Sequence, residues 1–177
     1  MGRQRNTIAR IEMKDVEAII QGLENTPLIL RKLLDQIPKE IYRVRRVAGK
    51  WCIHEQVCHL AEAQGILIAR FKQFENEENP LIQNYDPPAD RPESYYMDLD
   101  MDSEFERYCQ TRAETVDMLR GYPDEYWQRP GRHEGFEPYN SKLLLTHCLN
   151  VDYAHVFSIE QLGLTRPGLE SGIMTLP

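Results

Sequence analysis

The sequence predicts an all-α fold, a four-helix bundle with long loops between helices two and three and between helices three and four. Two observations carry this expectation. Apolar residues recur at steps of three and four along four separate stretches, which paints one stripe on each of four helices. Between them lie segments rich in Pro, Gly and polar residues, and few residues have the alternating pattern of a strand.

Helix one is expected to begin near Asp15, a good N-cap or first-turn residue, with residues 1–13 as an arm that shows no period. Val16, Ile19, Ile20 and Leu23 give its first face, and Leu30, Leu33, Leu34 and Ile37 continue it. Pro27 lies between the two sets and predicts a kink or break, and Pro38 ends the segment. Residues 39–50 form a connection with Arg43, Arg45 and Arg46, either a solvated cluster or one that faces the acidic stretch 98–104.

Helix two is expected from about Cys52 to Phe74. Its stripe is Ile53, Val57, Leu60, Ala61, Leu67, Ile68 and Phe71. Trp51 stands just outside and is expected to anchor the start of the helix in the core. The loop over 76–101 holds Pro80, Pro87, Pro88 and Pro92 and is long enough to line a site, with Tyr85, Tyr95 and Tyr96 as hydrogen-bonding rings. Ser103-Glu104-Phe105-Glu106 reads as a capping box that opens helix three. Phe105, Tyr108, Cys109, Val116 and Leu119 mark its buried face, and Gly121 is placed to end it. Residues 122–140 are a second long loop with room for a short hairpin. Helix four is expected from Asn140 or Ser141 to Gly163, broadly apolar and therefore central.

The chain of 177 residues is read as a single domain over 1–177, with a core at about 14–163 and a tail at 164–177 that lies along the surface or serves a subunit contact such as a homodimer. A net charge of -7 argues against nucleic acid as a partner. No apolar run reaches the roughly 18 residues of a membrane span, and the polar N-terminus has no signal-peptide pattern. Cys52, Cys58, Cys109 and Cys148 form no Cys-x-x-Cys pair and are read as reduced thiols of a cytoplasmic protein.

His59 sits between Val57 and Leu60 at the edge of the helix-two stripe. A histidine there is either hydrogen-bonded in the core or holds a metal. The spacing Trp51-x7-His59-Leu60-Ala61-x-Ala63 resembles the second-helix signature of the DinB/YfiT-like superfamily, and Tyr85-Asp86-Pro87 is similar to its YfiT-like branch. The resemblance spans residues 14–163. It implies a four-helix bundle in which His59 is the first of three metal ligands and a His-x-x-x-His pair on the last helix supplies the others. His155 falls at the last of these positions, and Val151 stands where the middle histidine should be. Relatives usually carry Ser or Thr after the Trp. Cys52 is a poor substitute, so the start of helix two should be weaker by about 1 kcal/mol unless another group caps it.

Spacing limits the other histidines. His147 and His155 are about 12 Å apart along one helix and cannot share an ion bound at about 2.0–2.1 Å. His54 is turned about 140° from His59 and is expected to be exposed. His133 is in a loop, and nothing in the sequence assigns it a role. Asp152 shares a helix face with His155 at i, i+3 and could replace the missing ligand, although it projects about 100° away from Val151. Glu55 and Glu62, one turn either side of His59, could ligate or could orient its ring.

Two functions are compatible with these residues. The first is a bundle of unproven activity whose degenerate metal site, with zinc or nickel weakly bound or absent, leaves a small-molecule cavity between helices two and four. Tyr153 and Trp127 are expected to help line it. The second, implied by the resemblance, is a metal-dependent hydrolase or thiol S-transferase in which His59, His155 and Asp152 or a loop group hold the ion and a low-molecular-weight thiol such as bacillithiol or mycothiol is the nucleophile.

Overall fold

A computed structural model describes the backbone of residues 2–175 and the side chains of residues 15–175. Four helices carry the fold: α1 (Gly2–Leu34), α2 (Ile53–Asn76), α3 (Met101–Arg120) and α4 (Ser141–Leu164). The two long loops hold short 3-10 turns and a minor sheet. Its strands are β1 (Leu81–Ile82), β2 (Pro130–His133) and β3 (Tyr139–Asn140). β1 runs parallel to β2, pairing Ile82 with His133, and β2 pairs antiparallel with β3 through Gly131 and Tyr139. The second long loop thus contains the short hairpin that it has room for, and that hairpin fixes the position of His133.

Several boundaries differ from the sequence expectation. α1 begins at Gly2 rather than near Asp15, and it runs through Pro27 without a break. A proline at 27 cannot donate to the carbonyl of Leu23. That carbonyl accepts instead from Arg112 Nη1 at 3.2 Å, so the missing bond is replaced from α3 and the helix survives. Asp100, not Ser103, caps α3, accepting from the Ser103 amide at 2.8 Å. Gly121 ends α3, as expected, but with φ -76 rather than in the left-handed region. Gly163 does not end α4. It is the close-packing point against the end of α1, where a Cβ would collide with the Ile37 side chain.

The start of α2 is not left weak. The Glu55 carboxylate accepts from the Cys52 amide at 2.9 Å, and Arg45 holds Glu55 through two bonds of 3.0 and 2.6 Å. Glu55 is therefore a structural cap rather than a ligand. The other two arginines of this connection are also tied to structure: Arg43 donates to Met97 O, and Arg46 to Leu162 O and Glu170.

The core divides into two apolar clusters. One gathers Val16, Ile20, Leu23, Phe71, Phe74, Val116, Leu119 and Trp127, and the other gathers Leu30, Leu34, Ile53, Val57, Leu60, Phe105, Tyr108 and Ile159. Along every helix a polar residue marks the change from one to the other: Thr26 in α1, Gln64 in α2, Arg112 in α3 and Asp152 in α4, all buried. Burying such groups is tolerable only when each is hydrogen-bonded. Here each is, and among the described residues Tyr139 Oη is the one buried side-chain polar atom with no hydrogen-bond partner. Cys52, Cys58 and Cys148 are buried free thiols, and Cys109 is half-buried. No helix among the described residues is long and apolar enough to cross a membrane.

Candidate functional site

The neighbouring helices α2 and α4 bring His59 and His155 together, with ring centroids 4.9 Å apart and planes inclined at 49°. Gly49 has φ +71, a left-handed turn that suits glycine, and two residues later Trp51 lies over both imidazoles. Its ring is 4.7 Å from His59 and stacked 6.4 Å from His155. Trp51 is half-buried: it packs against the second apolar cluster at the start of α2, as expected, and its ring also covers the histidine pair.

Hydrogen bonding fixes which nitrogen of each ring carries the proton. The Tyr96 hydroxyl donates to Glu62 Oε2, since a carboxylate there can only accept. Its oxygen is then an acceptor for His59 Nδ1 at 2.9 Å, so His59 holds its proton on Nδ1. Arg91 braces this chain, donating to both Glu62 oxygens at 3.0 and 2.5 Å and to Tyr96 Oη at 3.1 Å. On the other helix, His155 Nδ1 donates to Gln56 Oε1 at 2.5 Å. Gln56 Nε2 in turn donates to Thr175 Oγ1 at 3.4 Å, so the C-terminal tail helps to hold the His155 partner in place. Neither Nε2 meets a hydrogen-bond partner among the described residues, so both rings keep a bare lone pair there. Burial pushes the His59 pKa down to about 4, and burial together with His59 pushes His155 down to about 3, so both rings are neutral at neutral pH. Burial alone would raise the Glu62 carboxyl, but Arg91 and Tyr96 outweigh it and hold Glu62 below its usual range.

Asp152 does not join this pair. Its Oδ2 accepts from Arg112 Nη1 at 2.6 Å and its Oδ1 from Arg112 Nη2 at 3.1 Å, with Tyr108 Oη also on Oδ2 at 3.3 Å. Arg112 and Asp152 are only 2% and 1% exposed. The remaining guanidinium donor, Nε, meets Gln64 Oε1 at 2.9 Å. A fork-on-fork pair of this kind is the strong form of ion pair. Both Asp152 oxygens are held by a permanent cation, which leaves no negative charge to offer a metal.

Beside His59 a cavity of about 210 Å³ opens between α2 and α4 and the two long loops. Ala63, Ile66, Leu67, Leu144 and Val151 give it an apolar wall, and Arg70, Asn84, Tyr85, His133, His147, Cys148 and the Arg112-paired Asp152 line its other parts. Trp127 is not among these residues. It packs edge-on against Phe71 in the core, 6.5 Å between centroids, while Tyr153 is 45% exposed and lies against Gly22 of α1, not in the cavity lining. His54 is also not where the spacing put it. It is buried, with Nε2 at 3.0 and 3.1 Å from the carbonyls of Tyr96 and Leu99, and it pins the 76–101 loop to α2.

The family model of the DinB superfamily matches residues 23–157. The chain belongs to the DinB superfamily. Among solved structures, YfiT from Bacillus subtilis, described as a probable metal-dependent hydrolase with an unusual four-helix bundle topology, is similar at a TM-score of 0.70. The two are 23% identical over 84% of this chain and 86% of that chain, which makes the likeness one of fold. No curated protein matches.

Of the three residues put forward as metal ligands, the structure brings His59 and His155 to one point and leaves Asp152 in its pair with Arg112. Val151 lines the cavity next to His59. Among the described residues no group of three or more His, Cys, Asp or Glu side chains could hold a metal ion. The residues present therefore do not complete a three-ligand site of the DinB type. Sequence reasoning missed Arg112, Gln56, Arg91 and the part played by Tyr96. Arg112 had a signal: it stands four residues from both Tyr108 and Val116, on the buried stripe of α3, where an arginine requires a partner. The others had none, because their partners lie on other elements.

Proposed function

We propose that this DinB-superfamily chain binds a small molecule in the cavity between α2 and α4, with the reduced metal position serving as a hydrogen-bonding pair. The observation that supports it is the state of the two histidines. Both are neutral, both have Nδ1 occupied, both keep a bare Nε2, and the apolar Val151 lines the same cavity as His59. Of the pair, His59 lines the cavity and can accept a hydrogen bond from a ligand hydroxyl, amide or thiol, with His155 beside it, while the wall of Ile66, Leu67, Leu144 and Val151 takes an apolar body. Low-molecular-weight thiols fit this description as ligands, and buried free thiols agree with a reducing, cytoplasmic setting.

A second reading is favoured by the same bare lone pairs and by the likeness to YfiT. It is a metal-dependent hydrolase or thiol S-transferase in which His59 and His155 ligate zinc or nickel together with a donor other than Asp152. Calorimetric titration of the untagged, chelator-treated chain with zinc at neutral pH separates the two. The proposal expects weak binding that is lost on dialysis. Tight binding of one ion per chain would overturn it in favour of the second reading.

A further inference from the structure

The far end of the cavity holds side chains that the histidine pair does not use. Arg70 on α2 donates to one acceptor, the carbonyl of Gln83 at 2.7 Å, and forms no ion pair among the described residues. His133, placed by β2, accepts the Gly135 amide on Nδ1 at 2.9 Å, which puts its proton on Nε2 and makes that atom a donor. Its ring lies 6.3 Å from that of His147 on α4, whose nitrogens meet no hydrogen-bond partner among the described residues. Tyr139, whose hydroxyl is buried and unpaired, packs 4.8 Å from His133.

The two acids nearby are already engaged. Asp152 is held by Arg112, and Glu134 accepts from Asn84 at 3.2 Å and is exposed. Donors thus gather around Arg70, whose positive charge forms no ion pair among the described residues; Asp152 is neutralised by Arg112, and Glu134 stays on the exposed rim beside Asn84. Burial lowers the pKa values of His133 and His147, with Arg70 adding to both, His133 adding to that of His147 and Glu134 opposing the shift of His133, so the two rings serve as neutral donors beside the Arg70 charge.

Resting on the small-molecule reading above, we propose that Arg70, with His133 and His147, binds the carboxylate of a small monoanionic ligand whose apolar body lies against Ile66, Leu144 and Val151. A guanidinium fork fits the two oxygens of a carboxylate, and one cation matches one anion. The size agrees: about 150 Å³ suffices for benzene in an apolar cavity, and this one offers about 210 Å³. The carboxylate end and the His59 end lie on the same cavity, so the ligand would present its other end to His59.

The test uses benzoate and its neutral counterpart benzyl alcohol, titrated by calorimetry and by chemical-shift perturbation into the chelator-treated chain with no metal added. Benzoate should bind the native chain. Arg70→Met should weaken benzoate tenfold or more, about 1.4 kcal/mol, and change benzyl alcohol by less than about threefold, with Arg70→Lys recovering part of the loss. Unchanged thermal midpoints establish that the variants fold. If Arg70→Met does not fold, His133→Ala in the loop carries the same expectation at threefold or more. Absence of benzoate binding by the native chain overturns the proposal, as does equal binding by Arg70→Met. So does binding that appears only once zinc is added, since the anion would then sit on the metal. Because the measurement is made without metal, the zinc titration can come out either way without changing its meaning.

Discussion

Removing the Asp152 carboxylate tests whether this residue is structural or a ligand. Asp152→Ala leaves the Arg112 guanidinium buried, with Gln64 Oε1 and Leu23 O as its remaining acceptors, and leaves Tyr108 Oη without its partner. Breaking one side of a buried ion pair costs about 3–5 kcal/mol, because the surviving charge has no compensation. For a domain of this size each kcal/mol moves the thermal midpoint by about 2–4 °C, so the variant should melt roughly 6–20 °C lower. The double variant Asp152→Leu/Arg112→Met should recover much of that loss, since two apolar groups replace both charges. The recovery should be incomplete, because Leu23 O beside Pro27 also loses its donor. Thermal and urea unfolding of the native chain, Asp152→Leu, Arg112→Met and the double variant gives the coupling energy directly. Zinc affinity, measured on the same samples, should not change in Asp152→Ala. A variant as stable as the native chain to within about 1 kcal/mol would refute the buried pair. Loss of zinc binding at unchanged stability would make Asp152 a ligand after all.

Val151→His places a new imidazole one helical turn before His155, the spacing at which two rings can meet one ion, and should tighten zinc binding by orders of magnitude in calorimetry. No gain would mean that position 151 does not face the histidine pair. Trp51→Ala should cost about 2–3 kcal/mol in urea unfolding, below the range for a fully buried ring because Trp51 is only half-buried. Acid should destabilise the protein from about pH 6.5 downwards. His59 and His155 titrate at about 4 and 3 in the folded protein but at about 6.5 in the unfolded chain. Across this window the unfolded chain therefore binds more protons, and stability rises with pH. The other three histidines are lowered too, so His59→Gln/His155→Gln should flatten the slope between about pH 6.5 and 4.5 without abolishing it, and an unchanged slope would speak against neutral buried rings.

The stripes of α2, α3 and α4 were legible in the sequence because helix periodicity is local: Ile53, Val57 and Leu60, or Phe105, Tyr108 and Leu119, name the buried face without reference to any other element. The Asn140 cap and the stop at Gly121 were legible for the same reason, since both act within a few residues. The spacing from Trp51 to His59 to Ala63 reached further and carried the family. What the sequence could not supply are bonds between elements far apart in the chain. Pro27 predicts a break until Arg112, from another helix, takes up the Leu23 carbonyl. Asp152 reads as a spare carboxylate until the same arginine holds both of its oxygens. His54 reads as exposed until the 76–101 loop folds over it, and the tautomer of His59 depends on Tyr96 and Glu62 meeting across that loop. A side chain's neighbours along the helix determine which way it faces. Its partner, and therefore its charge, its free lone pair and its chemistry, is set by whatever the tertiary fold puts opposite, because a buried polar group is stable only where another element satisfies it.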